Sequence, residues 1–503
     1  MSNIKQSSES IKSDYFSGAL KGNAYLLPAY LIALSNVLFF GNRIVSMAIV
    51  VVEVCVLFYF LFRLDIARFL SWFVVFLSTC IEFSALTSNE NAIIWGFKNV
   101  RILGLNLGLL FVILGAFVLF AIGAIQKPNI KRMREPYLHK VMLIFSCLGL
   151  VGIITGLLNI MGNDNGIRSY PGMAKSFVEQ IYMGIWPFLL FYIAYFVIRK
   201  EIAWHDSLRD ALVATLIANA LAPILPAVMG ISGSYGSFKY MLASSANFFA
   251  PFLAIFPAYK EYKSKRLLFW GVFAVGSILP MMLWSYVNGK ILIIVLFLPV
   301  IYLGVVTKQR KKRKKTLIAV FFIVLLVIFI IQIFPLEEGS LLDSKVKEAT
   351  SLIGLFQSDW ELILKPSARY RIYEIINLIE EYKQNPIQIV LGKGFMGSIK
   401  DHIGKFGWKE PGSFPDQQFE TNAFFSLHEI SSYFLKFGLL GAVVFVYLGR
   451  IIWKKRKDNP WIILGCYWFF LLYGFSLTIS CIGAVSLALG LAIKKPDQKT
   501  QSV

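Results

Sequence analysis

Long apolar runs set the first limit on how this chain can fold. Runs of about 20 residues with few charges recur along most of its 503 residues. In lipid, every backbone N–H and C=O must find a partner within the segment, so such a run crosses as a helix. The hydrophobic share (57%), the charged share (16%) and a mean hydropathy of +0.65 lie outside the range of soluble domains. The sequence therefore predicts an all-α, polytopic membrane helix bundle of about fourteen transmembrane helices, near residues 24–40, 44–62, 67–86, 102–125, 141–161, 179–198, 210–229, 241–258, 267–286, 291–306, 316–335, 429–449, 460–476 and 478–493.

The distribution of lysine and arginine predicts the orientation of these spans. With the N-terminus in the cytosol, about two thirds of the 50 Lys and Arg residues fall in cytosolic loops and tails. Cytosolic loops retain Lys and Arg during insertion, so both termini are predicted to be cytosolic. Residues 460–493 must then cross twice, because one crossing would carry the basic tail outside. The short loops on the opposite side contain only Arg43, Lys98, Arg101, Arg168, Lys175, Lys239 and Lys290.

The net charge of +21 raises the question of nucleic-acid binding. The densest basic run, KQRKKRKK at residues 308–315, lies between two predicted spans on the cytosolic side. Anionic lipid headgroups attract such clusters, which explains the charge without a nucleic acid. Membrane lipids are therefore the predicted partners of this run, and no nucleic acid is expected.

The five cysteines carry little functional signal. Inside an apolar span a thiol behaves as a small hydrophobe. The spacing shows no paired ligand motif of the kind that zinc sites use, so no metal site is predicted. All five lie in predicted spans: Cys55, Cys80, Cys147, Cys466 and Cys481.

One long connection interrupts the pattern of short loops and divides the chain into three parts. Residues 1–335 form the predicted N-terminal membrane bundle, and residues 336–427 form a loop on the extracytoplasmic side. Residues 428–503 form the C-terminal membrane helices and a cytosolic tail. Because long structured loops usually carry function, the functional residues are expected in and beside residues 336–427.

A helix is predicted in this loop, from Ser367, after Pro366, to the Asn-Pro pair at 385–386. Apolar residues recur along it at helical spacing. Such a face is expected to lie on the bundle or in the lipid interface. It contains Ile372, Ile375, Ile376, Ile379 and Tyr382.

Arg369 and Arg371 lie in the first turn of this predicted helix. Free backbone N–H groups and the positive end of the helix dipole favour anions there. Guanidinium groups bind phosphate oxygens bidentately, which makes a lipid pyrophosphate a natural ligand. Pairing of both arginines with lipid headgroups, or with Glu374 and Glu380, is the alternative that spacing leaves open.

A glycine-rich segment, GKGFMG, follows this helix and contains Gly392, Gly394 and Gly397. It matches the GxGxxG pattern of dinucleotide sites, but such a site needs a complete βαβ unit and a supply of cofactor. An external loop between spans provides neither. A turn that permits close approach of two backbones is the favoured interpretation.

A polar stripe opens the twelfth predicted span. Counted from His428, the residues Glu429, Ser432, Tyr433 and Lys436 occupy adjoining helical positions. Charges in a membrane helix usually face a cavity or a partner. A neutral imidazole at the interface is a reasonable general base near neutral pH. The alternative is a histidine that only caps the helix, with Glu429 and Lys436 as a buried structural pair.

Three segments together resemble the bacterial O-antigen polymerase and ligase superfamily. They are SARYRIYEI at residues 367–375, NPIQIVLGKGFMG at 385–397 and SLHEISSYFLKFGLLG at 426–441. Members of that family have an arginine early in an external helix, a glycine-rich turn after Asn-Pro, and a histidine that opens the next membrane helix. The matching residues here are Arg369, Gly392, Gly394, His428 and Gly438. Glu429 departs from the small amide or hydroxyl residue that often follows the histidine.

The resemblance implies glycosyl transfer without metal or cofactor at the outer face of a bacterial cytoplasmic membrane. The expected donor is a glycan on undecaprenyl pyrophosphate, and the expected acceptor is a hydroxyl of another lipid-linked repeat unit. Arg369 and Arg371, with Lys436, are expected to hold the pyrophosphate. His428, Glu429 or both are expected to take the proton of the attacking hydroxyl.

Polymerisation of O-antigen, capsular or exopolysaccharide repeat units, aided by a chain-length regulator as a partner protein, is favoured over ligation to a lipid or protein acceptor. A lipid-linked oligosaccharide flippase is the alternative from another class. Flippases tend to have paired halves and short external loops, whereas this chain has no visible internal repeat and an off-centre loop.

Overall fold

The computed structural model describes the chain in separate stretches. All structural statements below refer to these stretches. They are residues 23–39, 42–80, 97, 100–102, 105–125, 136–162, 170, 172–174, 176–178, 180–181, 194, 202–231, 233–235, 238–240, 244, 246, 249, 318, 360–364, 366–407, 414–456, 460–472 and 477–492.

The described part of the chain is helical apart from two hairpins of very short strands. In the first hairpin Arg101 pairs with Asn106, and in the second Gly233 pairs with Tyr240, both antiparallel. Up to residue 240 the elements are α1 (Leu26–Leu38), α2 (Arg43–Phe62), α3 (Ile66–Thr79), β1 (Arg101–Ile102), β2 (Leu105–Asn106), α4 (Leu107–Ile125), α5 (Pro136–Gly162), α6 (Ile202–Leu221), α7 (Ile224–Val228), β3 (Gly233–Tyr235) and β4 (Phe238–Tyr240).

The second half of the described chain begins at residue 360. Its elements are α8 (Trp360–Ile363), α9 (Pro366–Gln384), α10 (Ile387–Leu391), α11 (Asp416–Thr421), α12 (Glu429–Lys455), α13 (Pro460–Tyr467) with a π-helical continuation (Trp468–Leu472), and α14 (Leu477–Ala492).

Three described helices are long and apolar enough to cross a membrane: Arg43–Phe62, Asp206–Pro226 and Ser431–Lys455. This agrees with an all-α chain that contains membrane helices. The total of about fourteen spans stays a prediction. The predicted spans at 267–286 and 291–306 lie wholly outside the described residues, and those at 179–198, 241–258 and 316–335 lie almost entirely outside them. Further apolar helices are shorter: Leu26–Leu38, Ile66–Thr79, Ser146–Gly162, Trp461–Phe470 and Thr478–Leu491.

The C-terminal stretch folds as two antiparallel helices, and its predicted double crossing of the membrane stays a prediction. Gly465 of α13 packs against Leu487 of α14, and Gly490 packs against Ile462. Small residues at these positions let the two backbones approach closely. The basic residues that follow α14 lie outside the described part of the chain.

Helices α3, α6 and α14 form the centre of the larger hydrophobic core of the described residues. Their apolar residues are buried nearly all round, as expected for helices surrounded by other helices. The Thr478 hydroxyl donates to the Leu77 carbonyl at 3.0 Å and links α14 to α3. In contrast, α2 exposes Val51, Val52 and Phe62, the pattern expected of a helix with one face toward lipid.

A second core, the aromatic core, lies in residues 370–435. Ring pairs connect α9 with the chain before α12: Tyr370 of α9 stacks on Phe406 (6.0 Å between centroids), and Phe406 packs edge-on against Phe414 (4.9 Å). Each such pair stabilises the fold by about 0.5–1.5 kcal/mol beyond burial. The aromatic core contains Tyr370, Tyr373, Leu378, Tyr382, Ile399, Phe406, Phe414, Phe424, Leu427 and Leu435.

Helix α9 confirms the predicted helix but divides its predicted apolar face. Ile375 and Ile379 are exposed, whereas Tyr382 is buried and its hydroxyl donates to the Phe434 carbonyl at 2.7 Å. Tyr382 packs against Phe434 of α12, with 6.4 Å between ring centroids, whereas Ile375 and Ile379 lie outside the aromatic core. The side of α9 that packs into the aromatic core carries Tyr370, Tyr373, Glu374, Asn377 and Leu378.

Candidate functional site

The glycine-rich segment is a turn inserted between two helix backbones, as the sequence predicts. Gly392 and Gly394 have backbone φ angles of +72° and +75°, which residues other than glycine rarely adopt. A Cβ on Gly392 would lie 2.5 Å from the Lys436 carbonyl carbon. A Cβ on Gly394 would overlap the backbone of Gly156 in α5. Both glycines are therefore required for the approach.

A kink in α12 supplies hydrogen-bond acceptors for this turn. Gly438 leaves the helical conformation (φ 55°, ψ −150°), so carbonyls before it lose their usual helical donors. The Lys393 N–H donates to the Leu435 carbonyl at 2.7 Å, and the Gly394 N–H donates to the Lys436 carbonyl at 3.0 Å. On the other side, the Phe395 N–H donates to the Gly152 carbonyl at 2.9 Å.

His428 lies at the start of α12, where the sequence places it, and is held by Glu374 of α9. Its Nδ1 is 2.5 Å from Glu374 Oε1, and its backbone N–H donates to Glu374 Oε2 at 3.0 Å. The His428 side chain is 31% exposed, whereas that of Glu374 is 0% exposed. The histidine occupies the N-cap position, but its side chain makes no capping hydrogen bond. The alternative pairing of Glu429 with Lys436 stays a prediction, because the Glu429 side chain lies outside the described part of the structure.

The chain that leads into His428 is ordered by a buried amide. Gln418 of α11 accepts from the N–H of Phe425 at 3.0 Å and donates to the Ser426 hydroxyl at 2.8 Å. The ring of Phe414 packs beside the imidazole, with 6.4 Å between centroids. Among the described residues, the imidazole lies against the Glu374 carboxylate and the Phe414 ring, and its side chain is 31% exposed.

A second histidine–glutamate pair lies two turns further along α9. Glu381 accepts from Lys393 Nζ at 2.6 Å through Oε1, and its Oε2 lies 2.7 Å from His402 Nε2. Lys393 Nζ also donates to the Ser398 carbonyl at 2.7 Å. Burial would raise the pKa of Glu381, but the Lys393 ammonium and the hydrogen bonds from Lys393, His402 and the Lys400 N–H outweigh it and lower this pKa. This pair ties the glycine-rich turn to α9.

The two predicted anion-binding arginines lie on α9, the helix that carries Glu374. Arg369 donates through Nη1 to the Glu361 carbonyl at 3.0 Å. Arg371 precedes Glu374 by three residues, which places the two on neighbouring positions about 4.5 Å apart along the axis. Glu380, the other acidic partner considered from the sequence, accepts from Lys383 at 2.6 Å. The structure thus places both arginines on α9, the helix whose Glu374 binds His428.

The remaining predicted residues lie along α12. Lys436 is eight residues beyond His428, about 12 Å along a straight helix, and its Nζ donates to the Ser432 hydroxyl at 2.9 Å. Its role in pyrophosphate binding stays a prediction. Glu429 is the first residue of α12, but its side chain lies outside the described part of the structure, so its role as a base also stays a prediction.

Sequence reasoning did not identify Glu374 as the partner of His428. The signal was present as a stripe of Tyr370, Tyr373, Glu374 and Asn377 at helical spacing. A glutamate inside a stripe of ring-bearing residues predicts a buried carboxylate, which requires a partner. The sequence could not show which distant residue is that partner.

Among the described residues, no group of three or more His, Cys, Asp and Glu side chains is arranged to hold a metal ion. Comparison with known proteins finds no matching family model, no matching curated protein and no matching solved structure.

Proposed function

We propose that this chain is a membrane glycosyltransferase that polymerises undecaprenyl-pyrophosphate-linked oligosaccharide repeat units at the outer face of a bacterial cytoplasmic membrane. The proposal rests on the resemblance of three segments to the O-antigen polymerase and ligase superfamily. These three segments meet in space: the helix with Arg369, the turn with Gly392 and the helix start with His428 contact one another through the bonds described above.

The observation that carries the proposal is the partly exposed imidazole of His428 at one end of an apolar helix. One ring nitrogen is bound by Glu374, and the ring keeps an exposed side where a sugar hydroxyl can approach. A general base must lie within hydrogen-bond reach of the proton that it removes. A substrate anchored by its lipid at the membrane surface would meet the start of α12, where His428 lies.

In the proposed reaction, His428 takes the proton from the acceptor hydroxyl as the hydroxyl oxygen attacks the anomeric carbon of the donor. The bond between that carbon and the pyrophosphate oxygen breaks, and undecaprenyl pyrophosphate leaves with the bonding electrons. A direct displacement of this kind inverts the anomeric centre. The protein needs no metal for these steps if cationic side chains stabilise the leaving group.

Arg369 and Arg371 are proposed to stabilise the negative charge that develops on the departing pyrophosphate. Both lie near the N-terminus of α9, where the backbone also favours anions. Charge stabilisation of this kind accelerates a reaction when it is stronger in the transition state than in the ground state. Lys436 is proposed as a further contact to the lipid pyrophosphate, and Glu429 as a second proton acceptor.

The test is an assay with purified full-length protein in lipid vesicles and a synthetic lipid-linked repeat unit. We expect a ladder of longer glycans without added nucleotide or metal. His428→Ala and Arg369→Ala should abolish the ladder, whereas the control variants His139→Ala and Arg68→Ala should keep it.

Other outcomes of the same assay would replace the proposal. Full activity in both site variants would remove the proposed site. Transfer of one glycan to a lipid or protein acceptor, without a ladder, would indicate a ligase. Movement of the lipid across the vesicle membrane without a new glycosidic bond would indicate a flippase.

A further inference from the structure

We propose that Glu374 is the positioning residue that fixes the tautomer and orientation of His428, so that Nε2 is the nitrogen that receives the proton. This inference rests on the proposed function for its catalytic consequence. The geometry of the pair can be tested without any activity.

One carboxylate holds His428 at two points. Oε1 of Glu374 binds the ring through Nδ1, and Oε2 binds the backbone N–H of the same residue. Two contacts on one residue restrict the rotation of the imidazole about both side-chain bonds. A catalytic side chain needs this restriction, because small errors in placement reduce the rate greatly.

The chemistry of the pair determines the tautomer. An ionised carboxylate only accepts hydrogen bonds, so Nδ1 must carry the hydrogen that it donates to Oε1. The neutral ring then has its lone pair on Nε2. Free imidazole side chains in water prefer the opposite tautomer, with the hydrogen on Nε2. Glu374 therefore selects the form in which the nitrogen away from α9 is a base.

The burial of the two side chains separates their roles. The Glu374 side chain is fully buried, whereas almost a third of His428 is exposed. A substrate can therefore meet the imidazole but not the carboxylate. Glu374 acts through His428 and does not touch the reacting atoms.

Among the described stretches, charged residues close in sequence to Glu374 and His428 lie on α9 and at the start of α12. On α9, Arg371 lies one turn before Glu374 and Glu381 lies two turns after it. On α12, Glu429 follows His428 directly. Glu381 binds Lys393 and His402, whereas Glu374 binds His428.

The test uses full-length protein labelled with ¹⁵N-histidine in detergent micelles. The chain has only 4 histidines, so the His428 signals can be assigned by their loss in His428→Ala. At about pH 9, where an ordinary imidazole is neutral, we expect the hydrogen of His428 on Nδ1. In Glu374→Gln we expect a substantial Nε2–H population, and in the matched control Glu380→Gln we expect no change.

Activity gives the second measurement. Glu374→Gln should lower kcat of ladder formation by about 10²–10⁴-fold with KM almost unchanged, and Glu374→Asp should recover part of the loss because it keeps the charge. A wild-type His428 with its hydrogen on Nε2 would overturn the inference. So would a Glu374→Gln variant that keeps both the Nδ1–H form and full kcat.

The two readouts distinguish the failure of each proposal. If Glu374→Gln does not fold, the wild-type spectrum and Glu374→Asp still decide the tautomer. If the wild-type protein forms no ladder but shows the Nδ1–H form, the proposed function fails while the arrangement of Glu374 and His428 stands.

Discussion

Two glutamates of α9, seven residues apart, each bind a histidine from another part of the chain. The two carboxylates differ in their other partners. Glu381 divides its oxygens between the Lys393 ammonium and His402, so a positive charge already compensates it. Glu374 gives both oxygens to a single residue, His428. The first pair connects the glycine-rich turn to α9, whereas the second holds one imidazole at the surface. The same chemical pair therefore serves structure in one place and is suited to proton transfer in the other.

Replacing His428 or His402 with alanine should give the largest difference between the proposed catalytic pair (Glu374 and His428) and the structural pair (Glu381 and His402). We expect His428→Ala to lower the rate of ladder formation by about 10²–10⁴-fold, since it removes the proposed base. We expect His402→Ala to keep the rate of the folded protein and to destabilise it by about 1–3 kcal/mol, because Glu381 loses a hydrogen bond in a largely buried place. Initial rates and thermal unfolding in detergent measure the two effects. Equal loss of rate in both variants would contradict the comparison.

Removing the compensating cation should damage the structural pair. In Lys393→Met we expect destabilisation of about 3–5 kcal/mol, because Glu381 keeps a largely buried charge without its ionic partner. The two side chains are 9% and 13% exposed. Thermal unfolding measures this effect.

The matched control is Lys383→Met on the same helix. Its pair with Glu380 is 64% and 39% exposed, and such pairs contribute less than about 1 kcal/mol. A Lys383→Met variant as unstable as Lys393→Met would show that burial does not explain the difference.

The glycine-rich turn should tolerate substitution only where space is open. Gly394→Ala should destabilise the protein by about 2–3 kcal/mol, because its φ is positive and its Cβ would overlap α5. Gly404 has a similar φ of +62°, and a Cβ there would meet no atom within 4 Å. Gly404→Ala should therefore destabilise the protein only by the backbone strain of about 1–2 kcal/mol. The difference in unfolding temperature between the two variants measures the close packing alone. No difference would show that the turn is not inserted between the helices.

Acidification should weaken the interactions of Glu381 with Lys393 and His402, and we expect this to be the smallest change in stability of the series. The folded state holds the pKa of Glu381 below its ordinary value of 4.5. Its contribution to stability is thus present above that value and is lost as the pH falls through the folded-state pKa. The difference in unfolding temperature between wild type and Glu381→Gln should therefore shrink as the pH falls below about 4.5. A difference that stays constant would indicate that Glu381 is not ionised in the folded protein.

Local patterns account for the features that were predicted well. The start of α9 at Pro366, its end before Asn385-Pro386 and the start of α12 directly after His428 follow from the helix-boundary preferences of neighbouring residues. The need for glycine at Gly392 and Gly394 follows from the crowding of two backbones. Such rules act over a few residues, so a linear sequence displays them.

Pairings across the chain explain what was missed. The predicted face of α9 contained Ile375 and Tyr382, but α12 covers only the second of them. Glu374 was considered as a partner of the arginines, and it binds a histidine 54 positions away. No periodicity in one helix reports which other helix arrives beside it.

The sequence by itself determined that this chain forms apolar helices, where the helix beside His428 begins and why glycines occupy the turn, because backbone hydrogen bonding and side-chain size decide these locally. Only the tertiary structure decided that Glu374 and not Glu381 holds His428, and that the kink at Gly438 receives the glycine-rich turn. Those choices depend on which buried polar groups meet when α9, α5 and α12 pack together. Burial of a charged or polar group is costly unless it is hydrogen-bonded, and the packing of the helices determines which partner is within reach.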